Sequence, residues 1–271
     1  MFGWFKKKPK RRPVESPAAF LQPAARQWLR AKVDAAMTTP RNAEHWALAD
    51  GLSADAAYSY SNRKIVRDRA RYEVLNNPIA RGIVRTHANS VIGTGPRLQV
   101  ETENEELNEK VETAWKAWAK KIRLTDKLRQ LRMAQCVDGE AFALLVTSDD
   151  FQHVTLDVRP IECDQVTTPD LARWATCDID GIELDPHGKP YRYHVLRRHP
   201  GDDFAGMPDY DPVWASSVIH LFRADRPGQH RALSELTPAL GLFAILRRYT
   251  NATLTSAEIA AAFSILLKTN A

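Results

Sequence analysis

Cysteine is scarce in this 271-residue chain. Cys136, Cys163 and Cys177 are odd in number and form no Cys-x-x-Cys pair, which excludes a disulfide framework and a zinc ribbon and leaves reduced thiols as the expectation. No apolar run approaches the roughly 18 residues of a membrane span, and the Met1–Phe5 segment precedes the basic residues, the reverse of a secretory signal. There is no Gly-Lys-Ser/Thr phosphate loop, no His-Glu-x-x-His and no Gly-x-Ser-x-Gly elbow. Nucleotide hydrolysis, zinc proteolysis and serine hydrolysis therefore lose their usual carriers, and no cofactor is expected.

Acidic residues are nearly missing from the N-terminal arm. Residues 1–33 hold nine Lys or Arg against Glu15 alone, a local +8, so with a total of +5 the rest of the chain carries −3. Lys6, Lys7, Lys8, Lys10, Arg11 and Arg12 are too crowded with like charge and proline to fold by themselves. Two readings stand: a solvated tail, or a mobile arm that attracts phosphates. The nearly balanced remainder need not grip nucleic acid.

The 44% hydrophobic content suits a chain with a real core. Its pattern predicts an α+β fold: N-terminal helices, a mostly antiparallel sheet, then a long apolar helix. A short helix is expected over Gln27–Met37, followed by an irregular stretch to Ser61. Residues 63–75 read as a helix with Val66, Ala70 and Val74 on one face and Arg63, Arg67 and Arg71 as a solvated stripe on another. Asn77-Pro78 supplies a cap and a first-turn proline, and Gly93-Thr94-Gly95-Pro96 supplies a stop. From Asn104 to Lys121, Leu107, Val111, Trp115 and Trp118 form the expected buried stripe of a helix, and Asp126 is expected to cap the next one, ending at Asp138-Gly139.

From Glu140 the period changes to strands. Ala141–Thr147 is apolar on both faces, and Val154, Leu156 and Val158 alternate with polar residues. Gly181–Leu184 and Tyr191–Leu196 flank a hairpin turn, residues 199–213 read as a surface loop, and Ser217–Phe222 returns to the sheet. A helix is expected from Ser234 to about Leu267, apolar on more than one side and therefore in need of a partner. The implied parts are 1–33, a basic arm; 34–138, helical; 139–230, the sheet; and 231–271, the long helix.

For chemistry, the pairs Asp149/Asp150, Asp202/Asp203 and Asp209/Asp211 sit in expected turns, where Asp bonds nearby backbone. Asp138-Gly139-Glu140 shapes a helix-to-strand corner, and His220 reads as a satisfied core histidine. The elbow Arg226-Pro227-Gly228-Gln229, with Arg231 beyond it, presents long polar groups from a rigid turn. Contact with another subunit and a local tie between loop and helix are both open to it.

Taken together, Asn77-Pro78-Ile79-Ala80-Arg81 leading to Val91-Ile92-Gly93-Thr94-Gly95, the Trp115/Trp118 helix, Asp138-Gly139-Glu140-Ala141-Phe142, Gly181-Ile182-Glu183-Leu184-Asp185 through Gly188-Lys189-Pro190, and His220 to Arg231 resemble the lambda-type portal proteins of tailed bacteriophages. The resemblance covers about residues 60–265. It implies a non-enzymatic ring, usually of twelve subunits, at one capsid vertex, forming the channel through which a separate terminase pumps double-stranded DNA and from which DNA leaves into the tail. The implied partners are further copies of the chain, terminase, scaffold or capsid, and head–tail completion proteins, with no membrane. Assembly would take place in the host bacterial cytoplasm and end at the virion portal vertex. The sheet region would be part of the wing and the last helix would approach the stem. Ala232 departs from the glycine common in the family, and the chain is shorter than the family, so the expectation is an N-terminal portion. A metal-dependent DNA-processing enzyme and a basic-armed DNA-binding module stand as alternatives.

Overall fold

A computed structural model describes residues 39–40, 43–148, 154–168, 179–202 and 209–263. The basic arm with Lys6, Lys7, Lys8, Lys10, Arg11 and Arg12, the Gln27–Met37 helix, the Asp149-Asp150 turn, Asp203 and Cys177 lie outside the described residues. The chain divides into Met1–Gly51 and Leu52–Ala271. In the first unit the described structure is a 3-10 turn at Ala43–Trp46.

The second unit is α+β. Its described helices are α1 (Ala54–Ala57), α2 (Tyr60–Asn76), α3 (Pro78–Ile92), α4 (Glu105–Lys121), α5 (Leu124–Asp138) and α6 (Thr237–Ala262); its strands are β1 (Glu140–Thr147), β2 (Leu156–Ile161), β3 (Ile182–Leu184), β4 (Pro190–Leu196), β5 (Tyr210–Trp214) and β6 (Val218–Phe222). In place of the single sheet expected, two three-stranded antiparallel sheets form, ordered β2-β1-β6 and β3-β4-β5.

The local signals act as their chemistry requires. The Asn77 side chain accepts from the amides of Ile79 and Ala80, Pro78 opens α3, and Gly93 closes it at φ 55°. The Asp185 carboxylate accepts from the His187 and Lys189 amides and so shapes the β3–β4 turn. The first half of β1, residues 140–143, is buried on both faces because two layers sandwich it. Ala141 and Ala143 pack with Leu131 of α5, while Phe142 packs with Ile182, Tyr193 and Val195 of the second sheet. A separate core joins α2, α3, α5 and α6 through Ala70, Ala80, Val84, Cys136 and Phe243.

Four further expectations are corrected. β5 occupies part of the stretch read as loop: its Pro212 lacks an amide donor, which an edge strand tolerates, and β5 is an edge. α4 buries none of its residues fully. Trp115 and Trp118 are half-buried with rings 4.9 Å apart, and the Trp118 indole donates to the Leu156 carbonyl, because α4 packs from outside onto α5. Asp126 lies within the first turn of α5; the residue before that helix is Arg123, in the left-handed region at φ 55°.

The fourth concerns the last helix. α6 begins at Thr237, three residues after the expected start, and residues 264–271 lie outside the described ones. The long apolar helix expected is not found, since Arg247, Arg248, Thr250, Asn251, Thr253, Thr255, Ser256 and Glu258 interrupt the apolar residues of α6. Among the described residues no helix is long and apolar enough to cross a membrane.

Candidate functional site

The polar centre of this unit is the place where α2, β1, the 3-10 turn Cys163–Gln165 and the segment after β6 converge. Glu140, the first residue of β1, is fully buried. Gly139 at φ 91° turns the chain sharply out of α5, and Glu140 beyond it is buried on the same strand as Phe142, with Asp138 before it also buried. Arg231 meets it from the elbow: Nε lies 2.8 Å from Glu140 Oε2 and Nη2 2.7 Å from Oε1, while Nη1 donates to the carbonyls of Val166 and Asp180. This forked contact is the geometry that arginine supplies and lysine cannot. His220 Nε2 lies 3.2 Å from Glu140 Oε2, and its ring stacks on Phe142 at 4.2 Å.

The arginine stripe of α2 completes the cluster. Arg63 and Arg67, spaced one helical turn apart, each approach Glu140 and then diverge, Arg63 to Asp180 at 2.5 Å and Arg67 to Asp164 at 2.8 Å. Arg71 forks onto Asp138 and also reaches Asp164 at 2.8 Å. The expected solvated stripe is thus corrected: Arg63 and Arg67 are buried, while the apolar residues Ile65, Tyr72 and Leu75 of the same helix are exposed. The 63/67/71 spacing was a usable signal, because three arginines on one face can meet a set of buried acids as readily as water. Nothing in the local sequence identified those acids.

Burial by itself raises the Glu140 pKa, but Arg231, the His220 bond and Arg63 outweigh it and hold the carboxyl well below its ordinary range. Asp164 and Asp180 are likewise shifted up by burial and brought below their ordinary range by arginines. Burial lowers the His220 pKa. The signs then follow. A carboxylate with a depressed native pKa contributes stability that is complete above its ordinary value, 4.5 for Glu140, and is lost as pH falls through the native value. A histidine buried neutral loses stability as pH falls below 6.5, its ordinary value. Asp138, raised by burial, opposes this in part. The urea midpoint is therefore expected to fall between pH 6.5 and about pH 3; a midpoint that rises over that interval contradicts the network.

A cleft of about 390 Å³ lies over the cluster, and its charged lining is internally paired: Arg63 with Asp180, Lys64 with Asp68, and Arg67 and Arg71 with Asp164. Beside it Glu162, Asp164 and His199 bring ligand-type atoms within 4.8 Å of one another. They do not make a metal centre. Arg71 is already ion-paired with both carboxylates, and the Gly201 amide donates to His199 Nδ1, which puts the proton of a neutral ring on Nε2, the atom that would have to bind the ion. Asp209 and Asp211, from the pairs considered for nuclease chemistry, are both held by Arg197.

The elbow residues divide between interior and surface. Gln229 is buried: its Oε1 accepts from the amides of Asp225 and Arg226 and its Nε2 donates to the Arg231 carbonyl, so it fills the loop from inside. Pro227 and Gly228, the latter at φ 73°, form the exposed tip, and Arg226 donates to the Leu52 carbonyl. Arg231 spends its donors within the chain. The local tie is therefore the geometry seen for Gln229 and Arg231, and Arg226, Pro227 and Gly228 are the elbow residues on the surface.

A comparison with curated proteins finds no match. A family model described as phage portal protein, lambda family, matches residues 39–271, a span that contains the whole buried network, both sheets and α6. That match covers most of the chain, and the chain accordingly belongs to the lambda family of phage portal proteins, a structural and non-enzymatic family.

Proposed function

We propose that the chain is a subunit of the portal ring at the capsid vertex, contributing to the channel for DNA packaging and ejection and to the head–tail connection. The observation that carries this reading is the family match over residues 39–271. Helices α2–α5 and the two sheets are the wing, and α6 runs toward the stem. The surface of α6 supports an assembly role: Phe243 is its one buried residue, whereas Leu242, Ile245, Tyr249, Leu254 and Ile259 are more than half exposed. The ring is dodecameric, its partners are terminase, scaffold or capsid and head–tail completion proteins, and assembly takes place in the bacterial cytoplasm.

The buried charge network is internally neutralised: Arg63, Arg67, Arg71 and Arg231 are paired with Glu140, Asp138, Asp164 and Asp180 and are thereby withheld from DNA phosphates. Lys6, Lys7, Lys8, Lys10, Arg11 and Arg12 of the arm contact nucleic acid transiently, and Arg226, Pro227 and Gly228 at the elbow tip face a neighbouring subunit. Electron microscopy of the purified chain under assembly conditions is expected to show closed rings. Monodisperse monomers under those conditions contradict the proposal. Replacing Leu242, Ile245 and Tyr249 with Ser, all solvent-facing in one chain, is expected to abolish rings while leaving the circular dichroism of the subunit unchanged.

A further inference from the structure

The elbow carries one titratable group that the buried network does not use. His230 sits beside Arg231 but points the other way, and it is bonded on both ring nitrogens. Nδ1 lies 2.9 Å from the Asp55 carboxylate of α1, and Nε2 lies 3.0 Å from the Gly188 carbonyl at the β3–β4 turn. The backbone amide of His230 donates to the other Asp55 oxygen at 2.9 Å. A carboxylate and a peptide carbonyl can only accept, so a neutral imidazole, with one N–H, satisfies one of these contacts and sets a lone pair against the other.

We propose that His230 is a proton-controlled clasp: as an imidazolium it ties α1 and the β3–β4 turn to the elbow, and loss of its proton releases the turn while α1 stays bound. The direction of release follows from bond strength. The Nδ1–H contact with a carboxylate is the charge-assisted one and is backed by the amide of the same residue, so the proton leaves from Nε2. The bare Nε2 then faces the Gly188 oxygen, and the turn moves off. It moves as a unit, because its own bonds, Gly188 amide to Asp185 carbonyl and Asp185 amide to Lys189 carbonyl, do not depend on His230.

Asp55 of α1 is the charged group bonded to the ring; the turn that bears on it carries Asp185, His187 and Lys189, with Asp185 engaged by turn amides, and the elbow carries Asp225 and Arg226. Although partial burial lowers it, the His230 pKa is raised by the Asp55 bond and by the Gly188 carbonyl. The clasp therefore contributes stability below pH 6.5 and loses it as pH rises through the native value. It also joins two of the sequence stretches that carry the family resemblance, the 181–190 hairpin and the 220–231 elbow, although they are far apart in the chain. This holds whether or not the chain builds a ring.

The test is a nitrogen-15 and carbon-13 NMR titration of the full chain, made in a His187→Asn background to remove the neighbouring imidazole. At pH 6 both His230 ring nitrogens are expected to be protonated. The Gly188 carbonyl and Lys189 amide signals are expected to inflect at the same pH as the His230 ring. Asp55→Asn is expected to weaken the proton affinity of His230 about tenfold, and His230→Gln to remove the inflection at Gly188 and Lys189. A singly protonated ring at pH 6 overturns the clasp, as does an inflection that persists in His230→Gln. Both of those readings are available even if Asp55→Asn does not fold.

Discussion

Replacing Glu140 with glutamine is expected to lower the stability of the Leu52–Ala271 unit by about 3–5 kcal/mol, a large part of the roughly 5–15 kcal/mol that a domain possesses. The substitution preserves shape and removes one charge. Arg231 then lies fully buried without its forked carboxylate, Arg63 and Arg67 lose the group they share, and His220 loses its anionic acceptor. The desolvation cost of those cations was already met in the native fold and is no longer offset. Urea denaturation followed by tryptophan fluorescence reads the change. A shift below about 1 kcal/mol would mean that the cluster contributes packing alone. The stricter measurement is a double-mutant cycle with Arg231→Met: removing both partners is expected to restore a substantial part of the loss, because the penalty comes from leaving one charge unpaired. Strictly additive effects would falsify the network as an energetic unit.

Gly139→Ala is expected to cost about 3 kcal/mol or more, through backbone rather than charge. Gly139 stands at φ 91°, and a Cβ built there would lie 2.2 Å from the Leu233 carbonyl carbon, 2.3 Å from its oxygen and 2.6 Å from the Ser234 nitrogen. All three are backbone atoms, so no rotamer change relieves the clash. The neighbouring chain is also pinned: the Glu235 amide and the Ser234 hydroxyl both donate to the Cys136 carbonyl at the end of α5. The methyl group would thus pry the α5–β1 corner away from the segment that leads into α6, and with it tilt Glu140 off Arg231. Two other glycines calibrate the result. Gly188→Ala places its Cβ in open space at φ 77°, so it is expected to cost about 1–2 kcal/mol of conformational strain. Gly82→Ala, inside α3 with nothing within 4 Å, is expected to stabilise by up to about 1 kcal/mol. A Gly139→Ala loss no larger than that of Gly188→Ala would remove the close approach as a constraint.

The difference between these positions shows where sequence reasoning reaches. Asn77-Pro78, Gly93 and the Asp185–Lys189 turn act within four residues of chain, so their chemistry is visible in the string of letters and appears in the structure where it was expected. Trp115 and Trp118 followed the same helical spacing as a core stripe, yet α4 packs from outside onto α5 and leaves them half-buried, with the Trp118 indole reaching β2. Pro212 masked β5, since a proline argues against a strand unless the strand is known to be an edge. Edge position belongs to the assembled sheet.

By itself the sequence determined the α+β class, the order of most elements, the absence of several catalytic motifs and, through stretches in a consistent order, the portal family. These rest on local conformational preference and hydrophobic period, which act along the chain. Only the tertiary structure decided that Arg63, Arg67 and Arg231 point inward onto Glu140, that Asp138, Asp164 and Asp180 balance them, and that His230 bridges Asp55 to Gly188. Those partners lie between 42 and 175 positions apart, and a charge declares its environment only when the fold has taken it out of water.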